Sequence, residues 1–592
     1  MVLTLTIKKP HSFWRFSHIV TPNSSLQEKY NVTPNAVVYS SAISACARAV
    51  PPRPAQAMKL LKEAVEEKRL QMNVVGFNAA ISACAQAGDW ENAISILTRM
   101  EDASTNDTNE ALFLVPPPDS VTYGTVLAAC ERGGQWKLVL KYADSMIDHG
   151  LELDGIAITS CLHACQRLGL ADEALHYLDV MKSINPVTPK TAKLQRKGAK
   201  KPLRGPDEVA YRLTISACAR GGAWKKGIQL LDEYNEVTGT PADVVAYTSA
   251  ITGCEYAGQW KEAFYLLDKM RKQGVEANEV TFAAVIGACA TAIAKQNGEN
   301  SDSGIPEPQK KGLQLLNVMK KNPDMVNPNI QVYNAAIRAC AEACDLKRAF
   351  KLLEEIEEAE IERTEITYGS LMTACERVGC IDSASKVFRK LKEDGIVPNE
   401  IIYGAAISCC RKSRQSERAL LLLRKMMKEE LAPNTATFNT AILAQVEGRS
   451  KAETERAIIV YRLMKSKFAG ESGRPNRQTY NILINYFASI MQPLTAEEFL
   501  KKMREDGFKP DVDLFTATVA AYERTRQPMK ALKLMESMEA DGYDFYGVEV
   551  LNSAFKKAIK LVNKVGQTFS TPDKSGQEEK SLKLMDLEIK RQ

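Results

Sequence analysis

The chain of 592 residues is 45% hydrophobic and 25% charged, ordinary values for a soluble protein, and no apolar run approaches the roughly 18 residues that a membrane helix needs, which excludes a membrane-spanning protein. Aromatics are only 7%, and Ala, Leu, Ile and Met supply much of the apolar content, a mixture that favours helix over strand. The formal charge is +6, yet seven cations between residues 183 and 206, with no acid among them, exceed that total, so the rest is near neutral and a uniformly basic nucleic-acid coat is excluded.

The first 35 residues come first in chain order. Lys8, Lys9, Arg15 and Lys29 face a single acid, Glu28, over the first thirty positions. An acid-poor basic leader is compatible with an organelle transit peptide; a partial repeat is the alternative.

From there to residue 546 one pattern recurs. An anchor, usually aromatic, stands at Tyr39, Phe77, Tyr123, Ile158, Tyr211, Tyr247, Phe282, Tyr333, Tyr368, Tyr403, Phe438, Tyr480 and Phe515. Six of the twelve intervals are 35 residues and the others are longer, as expected where surface loops accept insertions. Seven residues after the anchor comes a cysteine in ten consecutive units, from Cys46 and Cys84 through Cys375 to Cys410. Trp90, Trp136, Trp224 and Trp260 share a later site behind a Gly turn; Ala often follows three residues on, and Met seven further. Apolar residues at this spacing supply one helical stripe, and the small residues allow close helix approach. Each unit therefore reads as helix, Gly turn, helix, loop. No such hairpin can bury its stripe alone, so neighbours must stack. The expected fold is all-α: a right-handed α-α superhelical solenoid of about 13 helix-turn-helix repeats over residues 36–546.

Three insertions interrupt the array, near residues 102–118 (polar, then Pro-rich), 183–206 (basic, Pro/Gly-punctuated) and 292–311 (polar, read as disordered). The basic one reads as a phosphate clamp or as a solvated loop. Residues 547–592 read as a capping helix followed by a polar tail.

The cysteine register answers the metal question. One thiol per unit at one phase is a small apolar packing position, whereas zinc needs about four ligands at one point. Cys161 and Cys165 share one helix face, but Cys165 is accounted for by the repeat register, and with only five His no metal site or cofactor is expected. No catalytic constellation, phosphate loop or appended nuclease or deaminase pattern is present, so no catalytic residues are assigned.

The residue closing each unit is Asp or Asn in twelve of thirteen cases, Asn35, Asn73, Asp119, Asp154 and Asp207 among them, often after Pro. On residue chemistry alone these are helix N-caps.

A unit such as Val244 to Ile251, continuing through Gly258-Gln259-Trp260-Lys261-Glu262-Ala263 to Met270 and Gly274, resembles a pentatricopeptide repeat. The resemblance covers about residues 35–546; the spacing resembles the P-type subclass, and the Ala-Ile-Ser-Ala-Cys wording resembles algal versions. It implies binding of single-stranded RNA, roughly one base per repeat. It also implies that the residue after the anchor and the closing Asx read the base, while an aliphatic two before the anchor wedges between bases. The wedges would be Val37, Val75, Val121, Ile156, Val209, Val245, Val280, Ile366 and Ile401. By the family's code Ser40 with Asn73 implies adenine, Asn78 with Asp119 uracil, Thr159 with Asp207 guanine, and Thr248 with Asn278 adenine. Asn439 with Asn476 implies a pyrimidine, and Asn481 with Asp511 uracil. Asn334 faces an unusual partner, Thr364. Gly124, Gly369, Gly404 and Ala283 offer no hydrogen-bonding side chain, Arg212 is too long for the usual geometry, and Gln331, Gln478 and Asp513 replace the wedge.

The expected role is sequence-selective binding of an organelle transcript, mitochondrial or chloroplast, for its stabilisation, processing or translation. The expected partner is single-stranded RNA, with room for protein partners and none expected for DNA or membrane. The alternative is a helical-repeat scaffold for protein–protein interaction; catalysis is not expected.

Overall fold

A computed structural model describes residues 35–105, 115–184, 206–296, 306–322, 326–448, 450–466 and 470–540. The leader, the central part of each insertion and the segment after residue 540, with its expected capping helix, lie outside the described residues. Among the described residues there are twenty-six α-helices and no strand, which follow one another as thirteen consecutive pairs, the number the anchors predict.

In chain order the hairpins are α1 (Ala36–Ala47) with α2 (Pro54–Lys62), α3 (Val74–Ala87) with α4 (Trp90–Thr105), and α5 (Ser120–Arg132) with α6 (Trp136–Asp148). Then come α7 (Gly155–Leu168) with α8 (Ala171–Ile184), α9 (Glu208–Arg220) with α10 (Trp224–Thr238), α11 (Val244–Ala257) with α12 (Trp260–Lys272), and α13 (Glu279–Gln296) with α14 (Glu307–Lys321). Next are α15 (Ile330–Glu342) with α16 (Leu346–Glu358), α17 (Glu365–Val378) with α18 (Ile381–Glu393), and α19 (Glu400–Lys412) with α20 (Ser416–Lys428). The last are α21 (Thr435–Val446) with α22 (Lys451–Met464), α23 (Arg477–Ser489) with α24 (Pro493–Glu505), and α25 (Val512–Arg524) with α26 (Pro528–Ala540).

Two compact units divide the chain, Met1–Ala339 and Cys340–Gln592. Within the first, the odd-numbered helices pack each on the next from α1 to α13, and each even-numbered helix up to α12 packs on its own partner and on the following odd helix. Within the second, α17, α19, α21, α23 and α25 form the same kind of row. Each unit is therefore a helical-repeat solenoid with one row of first helices and a second row packed against it.

The anchors are the pegs of this stacking. Tyr39, Phe77, Tyr123, Tyr247, Phe282, Tyr368, Tyr403, Phe438, Tyr480 and Phe515 are all buried. Burial of each such ring contributes on the order of 2 kcal/mol. The tyrosine hydroxyls need partners, and they donate to carboxylates near the ends of second helices: Tyr123 to Glu101 at 2.6 Å, Tyr211 to Glu233 at 2.9 Å, Tyr403 to Glu429 at 2.6 Å.

The periodic cysteines are buried from Cys46 to Cys410. Their phase is explained by the helix crossing. A Cβ added to Gly227 would lie 3.6 Å from Cys218 Cβ, and one added to Gly312 equally close to Cys289. Thus the thiol meets the small residue of the second helix. Burial pushes the thiols of Cys84, Cys254, Cys289, Cys375 and Cys410 up to about 12. Cys161 and Cys165 are both buried, and burial likewise pushes them to about 12. The tryptophan site also has a steric cause: a Cβ on Gly133 would come 2.4 Å from Trp90 Cδ1, so the ring lies over the glycine turn of the following hairpin.

The third insertion is narrower than its sequence predicts. Helix α13 continues through Gln296 with Ala292 and Ile293 buried, and α14 begins at Glu307 with Pro308 and Gln309 buried. The apolar stripe of α13 extends past Ala292, which carries the helix on. In the first insertion α4 likewise runs to Thr105.

This packing makes a prediction for thiol chemistry. Cys344 is exposed and Cys380 half-buried, the latter held below the usual thiol value by a hydrogen bond from Ser383, whereas the other twelve cysteines are buried. Alkylation of the folded protein at mildly alkaline pH, read by mass spectrometry, should label Cys344 and Cys380 alone, with the rest reacting only in denaturant.

Candidate nucleic-acid interface

The closing Asx residues lie just before the odd-numbered helices, and they cap them. Asn35, Asn73, Asp119, Asp154, Asp207, Asp243, Asn278, Asn329, Asn399, Asn434 and Asn476 each accept a hydrogen bond from the backbone N–H three residues on. Each such cap stabilises its helix by roughly 1 kcal/mol. Thr364 stands at the N-cap of α17, where it forms a capping box with Thr367. Asp511 is the exception, since it makes no such cap and pairs with Arg477.

At four of the hairpins the stacking brings the next cap into contact with the residue after the preceding anchor, directly or through a threonine. Asn78 Nδ2 donates to Asp119 Oδ1 at 3.1 Å across 41 positions of sequence. Asn439 Nδ2 faces Asn476 Oδ1 at 3.4 Å. A third member completes both joints. Thr122 Oγ1 donates to Asn78 Oδ1 at 2.7 Å, and Thr479 Oγ1 to Asn439 Oδ1 at 2.7 Å. Thr248 reaches its partner only through such a threonine: its hydroxyl meets Thr281 Oγ1 at 2.7 Å, which donates to Asn278 Oδ1 at 2.8 Å. Sequence reasoning missed these threonines. Their signal was present, a Thr immediately before the anchor at Thr122, Thr281, Thr367, Thr437 and Thr479.

Burial on its own would push the Asp119 carboxyl up. Hydrogen bonds from Thr122 and Asn78 outweigh it and hold the group below the usual carboxylate range. A carboxylate so depressed is charged at neutral pH, and what it adds to stability is lost as pH falls through its folded value.

Other expected pairs are not bonded. Ser40 Oγ donates to its own helix at Ala36 O (2.8 Å) while Asn73 caps Gly76. Thr159 Oγ1 donates to Gly155 O (2.7 Å) while Asp207 caps Ala210. These short hydroxyls are satisfied within a turn of their own helix. Asn481 and Asp511 share no bond; Asn481 Oδ1 is buried without a partner. Asn334 is also buried, and its Oδ1 has no partner either. Orphan acceptors of this kind call for a donor from outside. Gly124 and Gly369 have nothing within 4 Å of where a side chain would begin. Arg212, too long for the usual geometry on sequence grounds, nevertheless folds onto its own closing residue, with Nη1 3.5 Å from Asp243 Oδ2.

The expected wedges form a row of apolar side chains facing solvent. Val37, Val75, Val121, Ile156, Val245 and Val280 in the first unit, and Ile366 and Ile401 in the second, are between 48% and 71% exposed. Only Val209 is half-buried. Packing gives no reason for aliphatics to face water at one phase of eight repeats. Between hairpins 5, 6 and 7 the row opens into a cleft of about 320 Å³. Val245, Val280, Thr248, Asn278, Arg220 and Tyr256 are among the residues that line it.

Profiles of known families match along the same stretches. One described as PPR repeat family covers residues 242–291. A second, the pentatricopeptide repeat domain, covers 60–105, 314–377, 351–413 and 386–448. A third, PPR repeat, covers 121–151 and 478–508. The chain belongs to the pentatricopeptide repeat family. A mitochondrial pentatricopeptide repeat-containing protein of Arabidopsis thaliana is 32% identical over 87 residues, 15% of this chain and 14% of that protein. A chloroplastic one from the same plant is 30% identical over 99 residues, 17% of this chain and 11% of its own length. The matches thus span a small part of these relatives. The crystal structure of the pentatricopeptide repeat protein PPR10 from maize superposes with a TM-score of 0.56 at 18% identity, over 94% of this chain and 76% of that one; the likeness is one of fold. Against the pentatricopeptide repeat pattern, the joints described above fall at the positions that the resemblance marks as base-reading.

The threonine joints are testable without ligand. Thr479 is fully buried, so Thr479→Val keeps its shape and strands Asn439 Oδ1 and the Asn476 N–H. Chemical denaturation should show a loss of about 1–3 kcal/mol. Thr440→Val, whose exposed hydroxyl only bonds back to Ala436 O, should change stability by under about 0.5 kcal/mol.

Proposed function

We propose that this pentatricopeptide repeat chain binds single-stranded RNA in a sequence-selective manner, about one base per repeat, and acts by occupancy rather than by catalysis. The observation that carries the reading is the cleft that Val245 and Val280 line. A flat base entering it stacks between two aliphatic side chains, and its edge meets Thr248 and Asn278. Unpaired bases recognised in this way are read on their hydrogen-bonding edges. The orphan acceptors on Asn334 and Asn481 fit the same use, because a base edge supplies the missing donors.

Electrostatics support selectivity over bulk affinity. Outside residues 183–206 the chain is close to neutral, so phosphate attraction is local, as with Arg220 in the cleft lining, and discrimination falls to base contacts. An RNA segment held along the row of first helices is shielded from exonucleases and kept from pairing. That outcome suits stabilisation, processing or translation of a transcript. The organelle assignment, mitochondrion or chloroplast, is supported by the names of the two plant relatives and by the acid-poor basic leader.

The test is selection from a randomised single-stranded RNA pool at near-physiological salt, with sequencing of the bound fraction. The expected motif begins with adenine, uracil, a variable base and guanine. Retention that is blind to sequence and vanishes with modest salt, or no retention, would replace this reading with that of a protein-interaction scaffold.

A further inference from the structure

Hairpin 5 carries an arginine where other hairpins carry a short polar reader or nothing. Its placement is nevertheless the same. Asn78 bonds the cap of the next hairpin, Asp119, and Arg212 lies in the same relation to the next cap, Asp243. The carboxylate divides its two oxygens between two tasks. Asp243 Oδ1 accepts from the Ala246 N–H at 2.8 Å and so caps α11, while Oδ2 faces Arg212 Nη1 at 3.5 Å. That single contact engages one edge of the guanidinium, whose remaining N–H groups have no other partner among the described residues. The side chain is about one-third exposed, and the flanking wedges are Val209, half-buried, and Val245, exposed.

We propose that Arg212, oriented by Asp243, is a specificity-determining residue that selects guanine at the nucleotide facing hairpin 5. The inference rests on the RNA-binding reading and adds to it a base at a repeat that otherwise counts as unreadable. A guanidinium is a planar fork of donors with no acceptor. The base edge that matches it offers two adjacent acceptors. Guanine has them, O6 and N7. On that Hoogsteen edge adenine places an amino donor beside N7, cytosine presents an amino donor, and uracil has O4 alone. Cytosine's N3 and O2 form the other adjacent acceptor pair, on its Watson–Crick edge, and a preference for cytosine would overturn the assignment to guanine. The Asp243 carboxylate limits the arginine's swing, so less freedom is lost when the fork engages a base.

The experiment uses the full chain and short RNAs that differ only at the fifth base of the selected motif. The wild-type protein should prefer guanine there by roughly ten-fold or more, the size expected for one bidentate contact. Arg212→Ala should reduce that preference to about one while leaving the preferences at neighbouring bases. Arg212→Lys retains the charge without the fork, so it should keep the salt dependence and lose the guanine preference. Arg212→Asn recreates the pair formed by Asn78 and Asp119 and should move the preference to uracil. Circular dichroism melting establishes that each variant is folded. Equal weakening for all four bases on Arg212→Ala would overturn the proposal in favour of a phosphate contact. Unchanged binding would leave only an ion pair between hairpins and overturn it too. If no variant, wild type included, retains RNA with any base preference, the broader reading fails along with it; a selected motif that is indifferent at the fifth base sinks this proposal alone.

Discussion

The structure depends on one joint, in which a polar side chain ends one loop, starts the next helix and faces the preceding repeat at the same time. An Asx at the N-cap is needed simply because the first N–H groups of a helix have no internal partner. Stacking of neighbouring hairpins then places the cap against the same position of the hairpin before it at Asp119, Asp243, Asn278 and Asn476. Asp119 with Asn78, and Asn476 with Asn439, are the joint in its complete form, with Thr122 and Thr479 as the third member. A residue required by helix chemistry is thereby delivered to the surface where a ligand edge can meet it. The two readings of the closing Asx, cap and reader, are therefore compatible: the helix N–H occupies one lone pair of the carboxylate or amide and leaves the rest of the group beside the preceding repeat.

For that joint to recur, hairpins must stack in constant register, and the core supplies it. The anchor rings act as pegs, and at hairpins 5 and 7 cysteine on the first helix against glycine on the second sets the approach at the helix crossing. A second set of bonds runs between neighbouring first helices. Glu131 accepts from Ser160, Gln166 donates to Ser216, and Glu376 accepts from Ser408. These contacts stay within each unit and hold the repeat spacing on the face that carries the exposed aliphatic row. In the last three hairpins the cysteine is replaced by Gln445, Phe487 and Tyr522, all buried, so the register survives a change of side chain.

Much of this was legible in the sequence, because periodicity is a geometric statement. The anchors located thirteen hairpins, the phase of the cysteines identified them as packing residues, and Asx before each unit identified the caps. What escaped was set by distances that the linear pattern does not carry. A threonine before an aromatic reads as ordinary β-branched filling, and only the stack reveals that Thr122, Thr281 and Thr479 touch the reader of the previous hairpin. Ser40 and Thr159 look like readers, yet their hydroxyls turn back on their own helices. Asp511 looks like a cap, but Arg477, 34 residues earlier, takes its carboxylate. Arg212 looked too long, and its length is absorbed by folding onto Asp243.

The central claim is that the bonded pair of reader and cap chooses the base. It is tested most directly at hairpin 11 by Asn439→Thr, which leaves Asn476 in place and recreates the pair of Thr248 with Asn278. Competition binding with two RNAs that differ only at the base facing that hairpin supplies the readout. The account predicts that the wild-type protein prefers a pyrimidine there and that the variant prefers adenine, with preferences at the other positions unchanged. A variant that binds both RNAs in the wild-type ratio, or loses both equally while remaining folded, would contradict it.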